Sequence, residues 1–161
     1  MCGLLTMAAC SDPAELSPVP ESEAAATTQP EDDERGADLP LRRGFYVSND
    51  TACGEASNAT LALLHAAGLN SAREDCRLDT VVPLGGARYR TTEHCAVIGT
   101  GDMIGYATDW EVLSDRDFRR TLASGAVIRM RRCEQSSLPE PWRMIDVDAA
   151  INRDGVTPSP R

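Results

Sequence analysis

Cys76 lies nine residues before Gly85, and Cys95 lies nine residues after Gly86. That symmetry constrains the fold more than any other feature of the chain. The flanking segments, Cys76 to Leu84 and Ala87 to Cys95, are rich in β-branched residues and in Arg. Two extended segments around Gly-Gly read as a hairpin with a tight turn. Folding about Gly85-Gly86 sets Leu84 opposite Ala87, Val82 opposite Tyr89 and Thr80 opposite Thr91, and brings Cys76 across from Cys95. Opposed residues of an antiparallel pair lie about 4.5–5.5 Å apart at Cα, a separation a disulfide accepts. Pro83 falls at a position without a ladder hydrogen bond, which suits an edge strand.

Other strands follow. Phe45-Tyr46-Val47 is a short aromatic and β-branched run after Gly44, and Gly105 to Val112 places Tyr106, Trp110 and Val112 at even spacing on one face. Phe118 to Leu122 and Ala126 to Arg132 form a second hairpin around Ser124-Gly125, with Ile128 and Met130 on one side and Arg129 and Arg131 on the other. Gly99-Thr100-Gly101-Asp102 lacks the third glycine of a dinucleotide loop and reads as a turn. Short strands at these intervals predict a mainly β fold, a small antiparallel sheet closed as a sandwich or barrel. One segment pulls the other way. Asn58 is placed as an N-cap and Gly68 as a C′ residue around a Leu- and Ala-rich run, so local propensity favours a single short helix near 58–67, with a strand as the alternative.

The N-terminal run Leu4-Leu5-Thr6-Met7-Ala8-Ala9-Cys10 resembles the bacterial lipobox. That resemblance implies that residues 1–9 are a signal-peptide remnant and that Cys10 carries the lipid that anchors the chain to a membrane. It further implies a cell-envelope location, periplasmic or facing the outer membrane. Residues 10–43 then form a tether. They are rich in Pro, Ala and Glu, with nine acidic and three basic side chains over 11–43, and cannot bury enough surface to offset conformational entropy. Setting aside Cys2 and Cys10 leaves Cys53, Cys76, Cys95 and Cys133, an even set that reads as a disulfide framework for a domain over 44–143. With Cys76 given to Cys95, Cys53 and Cys133 pair by elimination; the sequential pairing of Cys53 with Cys76 and Cys95 with Cys133 stays open. Residues 144–161 read as a flexible tail. Gly44-Phe45-Tyr46-Val47, Thr51-Ala52-Cys53-Gly54 and the later cysteines are also similar to a layout found in uncharacterised exported bacterial proteins, a likeness that supports a domain unit and implies no activity.

Few chemistries survive this sequence. All sixteen basic residues are Arg, so Schiff-base, P-loop and Ser-Lys chemistry lack their lysine. His65 and His94 lie in no H-E-x-x-H motif, no serine lies in G-x-S-x-G, and no cysteine pair has zinc-site spacing. In the C-terminal Asp/Asn cluster, placing Gly155 sixth in a calcium loop puts Ala150 where an Asp is required. No metal or cofactor is expected. Arg129, Arg131 and Arg132 lack interleaved aromatics and sit in a net-negative domain, which argues against nucleic acid. The reading is a non-enzymatic envelope lipoprotein, a binding or structural module whose partner is an envelope protein or a cell-wall component. Trp142, after Leu138-Pro139-Glu140-Pro141, is either an anchor packed on the domain or a contact for that partner. One alternative is an extracytoplasmic hydrolase pairing Glu93 with Asp109 or Glu111. The other rests on Gly86-Ala87-Arg88-Tyr89, which is similar to the Gly-x-x-Tyr stretch of membrane-bound C-type lysozyme inhibitors and implies a small β-barrel that plugs an enzyme's active site.

Overall fold

A computed structural model describes residues 39–152. The signal-like run, Cys10 and the acidic tether to residue 38 lie outside the described residues, as do residues 153–161. Eight strands close into one antiparallel barrel in chain order: β1 (Gly44–Ser48), β2 (Leu61–Leu64), β3 (Gly68–Ser71), β4 (Glu74–Gly85), β5 (Arg88–Val97), β6 (Met103–Ser114), β7 (Asp117–Thr121) and β8 (Val127–Arg132). β8 returns to β1 through Tyr46↔Arg132, Val47↔Arg131 and Ser48↔Met130. Two disulfides cross-link the barrel, Cys53–Cys133 and Cys76–Cys95. The mainly β expectation therefore stands, as a barrel, and the sequential cysteine pairing is excluded.

Alternation along the strands sorts the apolar residues into two cores. Inside the barrel, Tyr46, Ala62, Leu64, Leu69, Trp110, Val112, Phe118 and Met130 pack together. Outside, Phe45, Val47 and Leu63 pack beneath Leu138 and Ala150 of the C-terminal segment. That second core explains the ambiguous run near 58–67. Leu61–Leu64 is strand β2, not helix, because both of its faces are covered: Ala62 and Leu64 point into the barrel, Leu61 and Leu63 toward the outer layer. A strand buried on both faces loses its polar alternation and looks helix-like in composition. Asn58 caps nothing there; Ser57 and Thr60 form a turn, with the Ser57 N–H donating to Thr60 Oγ1 at 3.0 Å.

The folded unit is wider than 44–143 at both ends. Leu39 and Leu41, 0% and 1% exposed, fill the barrel end next to Tyr46, so the last residues assigned to the tether belong to the core. At the other end, a short helix α1 (Val147–Ile151) starts at Asp146, whose side chain accepts from the Ala149 N–H at 3.0 Å, and buries Ala150 against the outer core. Residues 144–152, read as tail, thus form part of the cover.

The long hairpin departs from the simple register. Its two-residue connection is Gly86-Ala87, one position later than Gly85-Gly86, and the first pair is Gly85↔Arg88. Two bulges on β4, at Leu84 and at Asp79, then absorb the offset, so Pro83 faces Tyr89, Val81 faces Thr91 and Thr80 faces Thr92. The pairs set near the turn by sequence are therefore wrong, while Cys76↔Cys95 is right. Gly85 and Gly86 both adopt positive φ, 94° and 61°, a conformation that only glycine takes readily. The bulge at Asp79 has a packing purpose. It reverses the side-chain phase, so that Val81 on one side and Leu78 on the other both reach the interior.

Candidate functional site

Two features stand out on this scaffold: a charged network inside the barrel and a hairpin that outruns its neighbour. The network begins with the inward face of β5, where Thr91, Glu93 and Cys95 alternate with exposed Arg90, Thr92 and His94. Glu93 is fully enclosed. Its Oε2 accepts from Arg120 Nη2 at 2.6 Å, and its Oε1 accepts from Thr91 Oγ1 at 2.7 Å and from Trp110 Nε1 at 3.3 Å. Trp110 Nε1 also donates to Thr91 Oγ1 at 3.0 Å. The Arg120 guanidinium lies over the Trp110 ring, 4.5 Å from its centroid, and Trp110 in turn packs on Phe118. Burial pulls the Arg120 pKa below its usual value, and the facing Glu93 carboxylate partly restores it.

This arrangement holds a carboxylate rather than freeing it. Glu93 points inward, whereas Asp109 and Glu111 point outward on β6, so the carboxylate pair read as a hydrolase candidate is split by the sheet. Asp109 receives two hydrogen bonds from Arg90, at 2.7 and 2.9 Å, which hold its carboxyl below the usual range. Glu111 lies 2.9 Å from Arg119. Three of the remaining strand carboxylates are engaged as well, Glu74 by the Tyr106 hydroxyl at 3.0 Å, Asp79 by His94 Nδ1 and Asp117 by Arg129, while Asp75 lies 3.6 Å from His65 Nε2, beyond hydrogen-bond distance. The arginines that replace lysine throughout this chain serve these planar pairings, two of them through Nε and Nη2 together.

The other singled-out residues fall into structural roles. Arg131 donates to Thr51 O at 2.7 Å and Arg132 to Arg43 O at 3.2 Å, so the basic cluster ties strands and termini together. Trp142 is half-buried against the outer core, in the anchoring position. Glu74, Cys76 and Cys95 place ligand-type atoms within 4.8 Å of one another, but both sulfurs are joined in the disulfide. Among the described residues no helix is long and apolar enough to cross a membrane. Arg120 was missed from sequence. Its signal was alternation with Phe118 on β7, which places an arginine on the interior face.

The projecting hairpin is the other candidate. β3 pairs with β4 only as far as Gly68↔Arg77, leaving Asp79 to Gly85 with β5 as their one strand neighbour among the described residues. Val82 and Leu84 are exposed there, while Tyr89 packs on the interior core and fixes the base of the tip. Gly86-Ala87-Arg88 is thus presented at one end of a rigid, cross-linked barrel. Compared with protein-family models, with curated proteins and with solved structures, the chain matches none.

Proposed function

We propose that this protein is a non-enzymatic binding module of the bacterial cell envelope, anchored by lipid on Cys10, with the β4–β5 hairpin as its contact element. The observation that carries this reading is the state of the strand carboxylates. All but Asp75, which lies beside His65, are held by an arginine, a histidine or a hydroxyl, and the enclosed Glu93 is held by Arg120, Thr91 and Trp110. A hydrolase of the two-carboxylate type needs two such groups facing one cleft. A binding module needs a stiff scaffold and an exposed element with few degrees of freedom, because ordering costs are then met in advance. The two bridges and the closed ladder supply the first, and Gly86-Ala87-Arg88 above a half-buried Tyr89 supplies the second.

A narrower form of this reading is inhibition of a C-type lysozyme. It is favoured by the position of Gly86-Ala87-Arg88-Tyr89 at the exposed tip of a hairpin on an eight-stranded barrel. The broad reading is tested by placing a photo-crosslinking side chain at position 87 in envelope preparations. A discrete adduct supports it, and the absence of any adduct overturns it. Purified protein added to C-type lysozyme digesting peptidoglycan tests the narrower form. Inhibition lost on Arg88→Ala supports it, while release of reducing sugar by the protein alone overturns the non-enzymatic reading altogether. Loss of membrane association on Cys10→Ser tests the anchor.

A further inference from the structure

The barrel has a second place where a strand outruns its neighbour. β7 meets β6 only from Asp109↔Thr121 onward, so among the described residues Met103 to Ala107 have β5 on one side and no strand on the other. Two ladder bonds fix which groups face that open side. Val97 N–H donates to Asp102 O, and Val112 N–H to Ala87 O. Even-numbered residues of β6 therefore bond β5, and the N–H and C=O of Met103, Gly105 and Ala107 point outward from the sheet edge.

The two open edges are treated differently. That of β4 is interrupted by Pro83, by bulges at Asp79 and Leu84, and by the Asp79–His94 pair, the devices that prevent strands from pairing edge to edge. That of β6 carries no proline, bulge or charge from Met103 to Ala107. It also lies at the barrel end where large apolar side chains are exposed: Ile98, Met103 and Ile104, with Met103 64% accessible, and Val127 at the start of β8.

We propose that Met103–Ala107 pairs with the same segment of a second copy, antiparallel about a two-fold axis at Gly105. In that register Gly105 meets Gly105, and Met103 meets Ala107, large against small. Ile104 meets Tyr106 on the other face. Flanking Asp102 falls opposite Thr108, so no charge meets a like charge. The three outward-facing residues of each strand exchange about six main-chain hydrogen bonds. A patch this short lies below the size of a stable interface, so the dimer is weak, with a dissociation constant on the order of 0.1 mM. The hairpin tip at Gly86-Ala87 lies at the opposite end of β5, so pairing leaves both tips free and stands or falls separately from the function proposed above.

Sedimentation velocity of the whole chain in detergent-free buffer, with Cys10→Ser to remove any lipid, measures the self-association directly. A Cβ at residue 105 makes only ordinary contact with His94, at 3.8 Å, so charged substitutions there leave the fold intact, which circular dichroism checks. Gly105→Lys and Gly105→Glu are each expected to weaken pairing by up to about fivefold, since like charges then meet on the axis. An equimolar mixture of the two is expected to pair again as a heterodimer. Amide exchange at Met103, Gly105 and Ala107 is expected to slow as concentration rises. A parent that stays monomeric up to about 1 mM, variants that associate like the parent, or a dimer that leaves these three amides unprotected would each overturn the proposal. So would occupation of this edge by a segment of another protein in place of a second copy.

Discussion

Replacing Glu93 with leucine tests whether the barrel interior is as dry as its geometry indicates. The substitution keeps approximate volume but leaves the Arg120 cation, whose side chain is only 10% exposed, without its counter-ion at 2.6 Å. Removing one partner of a buried pair costs about 3–5 kcal/mol, because the other charge stays enclosed and uncompensated. Two local effects adjust that figure. The Trp110 ring still faces the guanidinium, and Trp110 Nε1 keeps Thr91 Oγ1, which both soften the loss. The Thr91 hydroxyl loses its 2.7 Å acceptor and retains only a long contact to Thr108 O, which adds to it. The expected net cost stays near 3–5 kcal/mol, a large share of the roughly 5–15 kcal/mol that holds a domain together. For a folded unit of this size that corresponds to a fall in Tm of about 12–20 °C. The double variant Glu93→Leu with Arg120→Met removes both desolvation penalties and is expected to lie within about 1–2 kcal/mol of the parent. Urea unfolding followed by far-UV circular dichroism gives all the values needed for the cycle. A single-variant cost below about 1 kcal/mol, or a double variant that merely sums the singles, would show that water reaches Arg120 and refute the reasoning.

Further outcomes follow from other parts of the fold. Replacing Cys53 and Cys133 by serine opens a loop with a sequence separation of 80, against 19 for Cys76 and Cys95. The chain-entropy model gives losses of about 4.5 and about 3 kcal/mol, so the first pair is expected to lower the urea midpoint more; the reverse order would contradict it. Tyr46 has its pKa raised above the ordinary value near 10, chiefly by burial. Below that pH neither state ionises; above it only the unfolded chain does, so stability is expected to fall by about 1.4 kcal/mol per pH unit from Tyr46. Tyr106, raised by its bond to Glu74, acts in the same direction. Tyr46→Phe is expected to flatten the alkaline slope of unfolding free energy, at a cost of about 1 kcal/mol near neutrality for the lost bond to Arg42 O. Leu41→Ala is expected to destabilise by about 2–5 kcal/mol in the same unfolding assay, a cost that a residue of a solvated tether would not show.

Much of the architecture was legible residue by residue. Alternation marked β6, with Trp110 and Val112 facing in, and the β7–β8 hairpin, with Met130 buried beside exposed Arg129. Glycine positions marked the turns. The Cys76↔Cys95 pairing was reached through a register that the bulges at Leu84 and Asp79 alter on the way, because neither bulge has a compositional signature. β2 was obscured because an outer layer covers it, so its Leu-rich run carries no strand period. The network around Glu93 is half visible in sequence: the chain shows the carboxylate, but its partner Arg120 lies on β7, while the acids of β6 face solvent.

By itself the sequence determined local events: most of the segments that extend, where glycine lets the chain reverse, that Cys76 and Cys95 come within reach across one hairpin, and that arginine supplies the permanent cations. Those follow from short-range sterics and from side-chain chemistry. Only closure of the barrel decided which faces became interior, and so brought Arg120 over Trp110 and onto Glu93. It also drew Leu39 and α1 into the folded unit and, among the described residues, left β4 and β6 with open edges. Each of those depends on residues far apart in the chain meeting across a sheet, and a side chain's burial is fixed only when its strand acquires neighbours on both sides.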